Sequence, residues 1–230
     1  MVVLPDDLFG GMSSLTFIHF AAFIPMAKLP SFEGLTNLKS LTLAVFLYLA
    51  EVPGFDSLHN FERLVLVSLP SLTALPDLGS VKNFQSFTTF DRGAWCCNGF
   101  LNNNCELNDP KCGVHPVWGT PAAICLASEN QATEATWTIT SKFSFGICGP
   151  VLQPDAVQGT PTEETMTVCK DTMYRQCSKP NETEAMCYNV RFMGITCTQT
   201  SYAIEMRRRQ IAHGVGDACN PEIEAWLGCK

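Results

Sequence analysis

Three dipeptides, Leu29-Pro30, Val52-Pro53 and Leu75-Pro76, recur at a spacing of 23 residues, and each opens a copy of one apolar pattern. After Leu29-Pro30 come Leu35, Leu38, Leu41, Leu43 and Phe46. One period later the same places hold Leu58, Phe61, Leu64, Leu66 and Leu69, and one period earlier Met12, Leu15, Ile18, Phe20 and Phe23. Every replacement of Leu in this frame is another large apolar residue. A fourth copy fades: Val81, Phe84 and Phe87 keep it, but Thr89 and Arg92 fall where apolar residues belong.

Written out, the pattern is L-x-x-L-x-x-L-x-L, the frame of a leucine-rich repeat, whose usual period of about 20–29 residues covers this spacing. The alternation at Leu41 and Leu43, or Leu64 and Leu66, turns one face of a short strand inward. One such unit cannot bury its apolar face alone, whereas about three stacked units share a continuous core. The expectation is an α/β solenoid of three to four repeats ending near Arg92. One departure stands out. The Asn or Cys that commonly follows the strand is replaced by Phe23, Phe46 and Leu69. By register Phe17, His19, Ala21, Ser40, Thr42, Ala44, Arg63, Val65 and Val67 point outward, a mixed face with little charge.

All twelve cysteines lie beyond residue 95, at 96, 97, 105, 112, 125, 148, 169, 177, 187, 197, 219 and 229. An even count at irregular spacing favours disulfides and an oxidising compartment. Structural zinc would want C-x-x-C knuckles or Cys/His clusters, and neither pattern is present. No metal and no cofactor is expected. The vicinal pair Cys96-Cys97 is expected to bond to two different partners and could seal the open end of the repeat core.

The chain therefore reads as a repeat solenoid over 1–95, a cysteine-rich cap over 96–148, a linker over 149–165 and a cysteine-rich C-terminal domain over 166–230, the last three parts forming an irregular disulfide-rich α+β region. Residues 133–147, with Trp137, Ile139, Phe143, Phe145 and Ile147, suit a strand or two or an apolar helix. A helix is expected over 165–176. Another is expected over 201–213, with Ser201 as cap and Gly214 as stop. Asn220-Pro221-Glu222 places a cap, a proline at the first helical position and an acid at the positive end of the dipole. Asn181 lies in the chain's one N-x-T sequon and is a glycan candidate. Arg207-Arg208-Arg209 could be an anion or lipid-headgroup patch, or a solvated helix face with one arginine folded onto an acid.

A net charge of -7, with five basic and eight acidic residues before position 96, argues against a nucleic-acid partner. No run of apolar residues reaches the roughly 18 that a membrane helix requires. The first residues lack the basic start and long apolar run of a signal peptide, and no polar segment caps the first repeat; a longer parent protein is the expectation. The chain holds no G-x-S-x-G, H-E-x-x-H or P-loop, and Glu163-Glu164 falls in the expected linker, so an enzyme is not expected.

With Cys187-Tyr188, Arg191 to Cys197, Met206 to Ile211, Gly214-Val215-Gly216 and the final Trp226-Leu227-Gly228-Cys229, preceded upstream by Cys96-Cys97-Asn98-Gly99-Phe100, the chain resembles the oomycete leucine-rich-repeat proteins that end in a WLGC motif. That resemblance implies a surface or secreted protein, with possible membrane-spanning segments upstream of the repeats, and no catalytic residues. The functional expectation is a non-enzymatic cell-surface or extracellular protein that binds a protein or peptide through Phe17, His19, Ser40, Thr42, Arg63 and Val65. The alternative is a secreted cysteine-rich effector or hydrolase inhibitor acting through a disulfide-framed loop in 98–125 or 149–165.

Overall fold

The computed structural model describes residues 4–90, 93–101, 103–148, 160–178, 184–190, 193–199 and 201–230. The chain divides into two compact units, Met1–Val151 and Leu152–Lys230. Arg92, Asn181 and most of the expected linker lie outside the described residues.

The first unit is a short β-solenoid. Four strands, β1 (Phe17–Ala21), β2 (Ser40–Ala44), β3 (Arg63–Val67) and β4 (Ser86–Phe90), pair in parallel in chain order. Their register carries the 23-residue period without a slip, so Ile18, Leu41, Leu64 and Phe87 form one inward row. Leu41, Leu43, Leu64 and Leu66 are buried. Each such side chain removed from water contributes about 1.5–3 kcal/mol, which is why the frame dictates the stack. Each turn reverses the chain in the same way. The carbonyls of Thr16, Lys39 and Glu62 each accept two backbone N–H groups from the next strand's start, and Ala22, Val45 and Ser68, one period apart, all adopt left-handed backbone after their strands. That bend turns Phe46 and Leu69 inward, where apolar packing fills the place the motif usually gives to Asn or Cys, and Phe23 stacks on Phe46 at 5.9 Å.

A second row was not anticipated. Phe9, Phe32 and Phe55 stack at 6.1 and 6.0 Å on the side of the solenoid away from the sheet, with Leu78 next in period. Three phenylalanines spaced by 23 residues were the signal for it.

Residues 94–148 cover the β4 end. Trp95 lies flat against Phe87 at 5.7 Å, and Phe143 meets Phe84 edge-on at 5.4 Å. The 133–147 segment is helical, α1 (Glu134–Ser141) and α2 (Ser144–Ile147), and Thr133 caps α1 by accepting the Thr136 N–H. Asp77 in the last turn of the solenoid accepts the Thr133 and Thr136 hydroxyls at 2.6 and 2.7 Å, which fixes α1 to the stack. Cys96 bonds to Cys148 and Cys97 to Cys112, so the vicinal cysteines have two different partners, and Cys105 bonds to Cys125.

The second unit opens with α3 (Glu163–Thr167), which a capping box between Thr162 and Thr165 starts inside the stretch read as linker. The helix expected over 165–176 does not form: Lys170 and Asp171 both adopt left-handed backbone, which no right-handed helix passes through. An antiparallel sheet follows, β5 (Gln176–Cys177), β6 (Ala185–Val190) and β7 (Gly194–Thr198). One face packs a cluster of Cys169, Cys177, Ala185, Cys187 and Cys197, and the other packs Met186 against Ala203, Ile204 and Leu227. Ala203 and Ile204 belong to α4 (Ser201–His213), whose bounds are those read from the sequence, and α5 (Pro221–Glu224) is capped by Asn220 with Pro221 in its first turn.

Candidate functional site

Three places concentrate unusual side chains. The first is the outer face of β1–β4, where cross-strand register forms rows of Phe17, Ser40, Arg63 and Ser86, of His19, Thr42, Val65 and Thr88, and of Ala21, Ala44, Val67 and Phe90. Phe17, His19 and Arg63 are exposed, whereas Ser40 and Val65 are half-buried. Thr42 differs from its expected exposure, being buried at 7% between His19 and Val65. The accessible part of the face therefore lies at its margins. Phe17 meets the His19 ring edge-on at 6.3 Å.

The second place is the stretch between Cys112 and Cys125. Its stem closes by the Ala123 N–H donating to the Cys112 carbonyl and the His115 N–H donating to the Thr120 carbonyl. His115 is buried, and its Nδ1 accepts the backbone N–H groups of both Val117 and Trp118 at 3.2 Å. Nothing local in the sequence distinguishes a loop organiser such as His115 from a solitary histidine.

The third place is the end of the chain. Arg207, within the arginine triplet, is buried; its Nε donates to Glu224 Oε2 at 2.6 Å and its Nη2 to Glu224 Oε1 at 3.1 Å. Its Nη1 donates to the Asp217 carbonyl at 3.0 Å, and the guanidinium lies 4.2 Å over the Tyr174 ring. Arg208 pairs with Glu184 and Arg209 with Glu205. The triplet is thus not an anion patch, because each cation already faces a carboxylate. Trp226, Leu227, Gly228 and Cys229 all serve this packing. The Trp226 Nε1–H donates to the Tyr174 carbonyl at 2.9 Å, Leu227 is buried against Met186, Gly228 takes the left-handed turn that ends the helix, and Cys229 bonds to Cys219. Only a residue without Cβ adopts that turn at no steric cost. Residues 164–230 match the WLGC domain. No curated protein and no solved structure matches the chain. The WLGC domain so defined starts within α3 and takes in the antiparallel sheet, the Arg207–Glu224 pair and the Cys219–Cys229 bridge.

Two further groups, one outside these places, have perturbed chemistry. Hydroxyl donation from Thr133, then from Thr136, holds the Asp77 carboxyl below its ordinary range against a smaller opposing effect of burial. Burial, with a lesser contribution from the charge of Tyr188, pushes the Tyr202 phenol in the WLGC domain upward.

Among the described residues, the one group of metal-ligand types close enough to share an ion is Cys169, Cys177 and Cys187, with sulfurs within 4.8 Å of one another. These sulfurs are taken: Cys169 bonds to Cys187 and Cys177 to Cys197. A disulfide sulfur is not the thiolate that zinc requires. Also among the described residues, no helix is long and apolar enough to cross a membrane.

Proposed function

We propose that the protein is a non-enzymatic leucine-rich-repeat recognition module of the cell surface or extracellular space, related to the oomycete proteins its C-terminus resembles, and that it binds a protein or peptide through the outer face of β1–β4. The observation that carries this reading is the in-register face itself, which offers Phe17, His19, Arg63 and Val65 on a rigid backbone beside an otherwise uncharged surface. Repeat proteins bind partners through such extended surfaces. A weakly charged mixed face suits a folded protein or a peptide, and the net charge of -7 suits no polyphosphate. The six disulfides are of a density typical of secreted proteins. On this reading the WLGC domain is a self-contained, disulfide-closed module, and Asn181 carries a glycan.

The test is capture of surface proteins by the full chain, compared with Phe17→Asp and Val65→Asp variants that keep all six bridges. A tenfold loss of capture supports the face as the binding surface, and undiminished capture by both variants defeats it. A second reading, a secreted effector or hydrolase inhibitor, is favoured by the Cys97–Cys112 and Cys105–Cys125 bridges that frame residues 98–125. A rigid loop of this kind loses little entropy on binding.

A further inference from the structure

We propose that β1 is the contact edge of a two-fold dimer, in which it pairs antiparallel with β1 of a second copy about a centre at His19. The inference goes beyond the strand-face reading: the association needs no ligand, and it joins two outer faces into one eight-stranded surface.

The two ends of the solenoid differ. At β4, Trp95 and Phe143 close the stack. At β1 the sheet ends in an edge. Leu15, Phe20 and Phe23 stay half-buried there, whereas Leu38, Leu43 and Phe46, one period later, are fully buried by the turns on either side. Met12 and Ile24 are 41% and 42% exposed. Proteins protect such edges with charge, proline or a bulge. β1 has none of these, and from Leu8 to Ala27 the chain contains no Asp, Glu, Lys or Arg, whereas each later turn carries at least two.

Backbone direction selects a strand as the occupant. In each later turn the strand's first N–H reaches back to the turn before it, as Ser40 does to the Thr16 carbonyl. Its last carbonyl accepts from that turn, as Ala44 does from the Ala22 N–H. Phe17 and Ala21 hold these places in β1, so the Phe17 N–H and the Ala21 carbonyl point off the edge, and among the described residues nothing meets them. The sequence of the turn then selects a copy of itself. An antiparallel pair centred on residue 19 sets Phe17 of each copy opposite Ala21 of the other, so each outward N–H meets an outward carbonyl and each large ring lies beside a methyl group. The same two-fold brings Leu15 towards Phe23 and Ile18 towards Phe20, because the frame of these four residues reads the same in both directions. No charge opposes this contact, in a chain whose net charge of -7 disfavours contact elsewhere. Since the β4 end is covered, one copy cannot add to another head to tail, and the association closes at two.

The experiment is sedimentation equilibrium of the full, disulfide-bonded chain with no ligand added. Wild type is expected to be a dimer at micromolar concentration. Ala21→Pro removes an outward N–H and leaves the β1–β2 ladder intact, and it is expected to weaken association at least tenfold. Val117→Asp, an exposed apolar site in the cap at the β4 end, is expected to leave association unchanged. His19→Cys is expected to link the two copies by a disulfide, since residues directly opposite in such a pair lie about 5.5 Å apart at Cα. Ser40→Cys, one strand further in, is expected to form no such link. Intact mass showing the six native bridges, with a melting curve matching wild type at monomeric dilution, qualifies each variant as folded. A wild-type monomer throughout the micromolar range, folded Ala21→Pro dimerising like wild type, a dimer that Val117→Asp dissociates, or a dimer that His19→Cys fails to link would each overturn the inference.

Discussion

Replacing Glu224 by Gln is the most informative perturbation of the WLGC domain. The side chains of Arg207 and Glu224 are 2% and 5% exposed, so neither end of the pair is hydrated. The amide is the same size as the carboxylate but supplies one acceptor, where Arg207 uses two, and its NH2 group faces a guanidinium donor. The cation is then left in the interior without its counter-charge, with the one remaining amide oxygen, the Asp217 carbonyl, Gln210 and the Tyr174 face around it. Removing one partner of a buried pair costs about 3–5 kcal/mol. In a unit of this size each kcal/mol moves the midpoint by roughly 4–8 °C, so the C-terminal transition should fall by at least ~12 °C. Differential scanning calorimetry of the oxidised chain, with the two transitions assigned by hydrogen exchange, gives the measurement. The double variant Arg207→Met, Glu224→Leu should recover most of the loss, because a matched apolar pair of similar volume is often neutral or better. A C-terminal midpoint unchanged within a few degrees in Glu224→Gln would refute the reasoning, as would a double variant no better than the single one.

Asp77 gives a pH prediction for the first unit. Its carboxyl is held low by the Thr133 and Thr136 hydroxyls, so its contribution is present above the ordinary carboxyl value of about 3.9 and is lost as pH falls through the lower folded value. Urea unfolding should show wild type more stable than Asp77→Asn near neutrality, with the gap closing on acidification; a gap independent of pH would count against it. Ala22 is exposed, with φ of 61°, in left-handed backbone that costs a residue with Cβ about 1–2 kcal/mol. Ala22→Gly gives part of that back to chain entropy and should raise stability by about 0.5–1 kcal/mol, read as a small rise in the midpoint of the first unit's thermal transition.

Much of the first unit was legible because one period governs it. The frame at 41, 43, 64 and 66 needs no tertiary information, since every turn repeats the same local decision. Legibility failed where two surfaces compete for one strand. In β6, Ala185 and Cys187 face the disulfides while Met186 and Tyr188 face α4, so no polar residue marks an outer side and the alternation disappears. The Arg207–Glu224 pair was hidden for a different reason. Its members are 17 residues apart, and they meet only because Gly214 and Gly216, both at positive φ, reverse the chain after α4. The triplet Arg207-Arg208-Arg209 suggested a patch because adjacent residues look alike in sequence. On a helix they point in three directions, and each found its own carboxylate.

The uneven placement of the cysteines follows from how much apolar surface each region can stack. In the solenoid, Leu35, Leu58 and Val81 or Leu41, Leu64 and Phe87 are buried by the turns on either side, and periodic stacking supplies the core without cross-links. At the fourth turn the frame weakens at Thr89, and a repeat sheet cannot simply stop there with its last row open to water. Trp95, Phe100, Phe143 and Ile147 close that row, but they come from short irregular segments with little core of their own. Cys96–Cys148 and Cys97–Cys112 tie these segments down where they begin and end. The WLGC domain meets the same shortage more acutely. Four of the five buried residues on one side of its sheet are half-cystines, so the bridges are themselves the core. Loops of 18 and 20 residues closed in this way contribute roughly 3 kcal/mol each by restricting the unfolded chain. A domain that derives its order from such bridges loses its core on reduction, and disulfides at this density are typical of extracellular proteins.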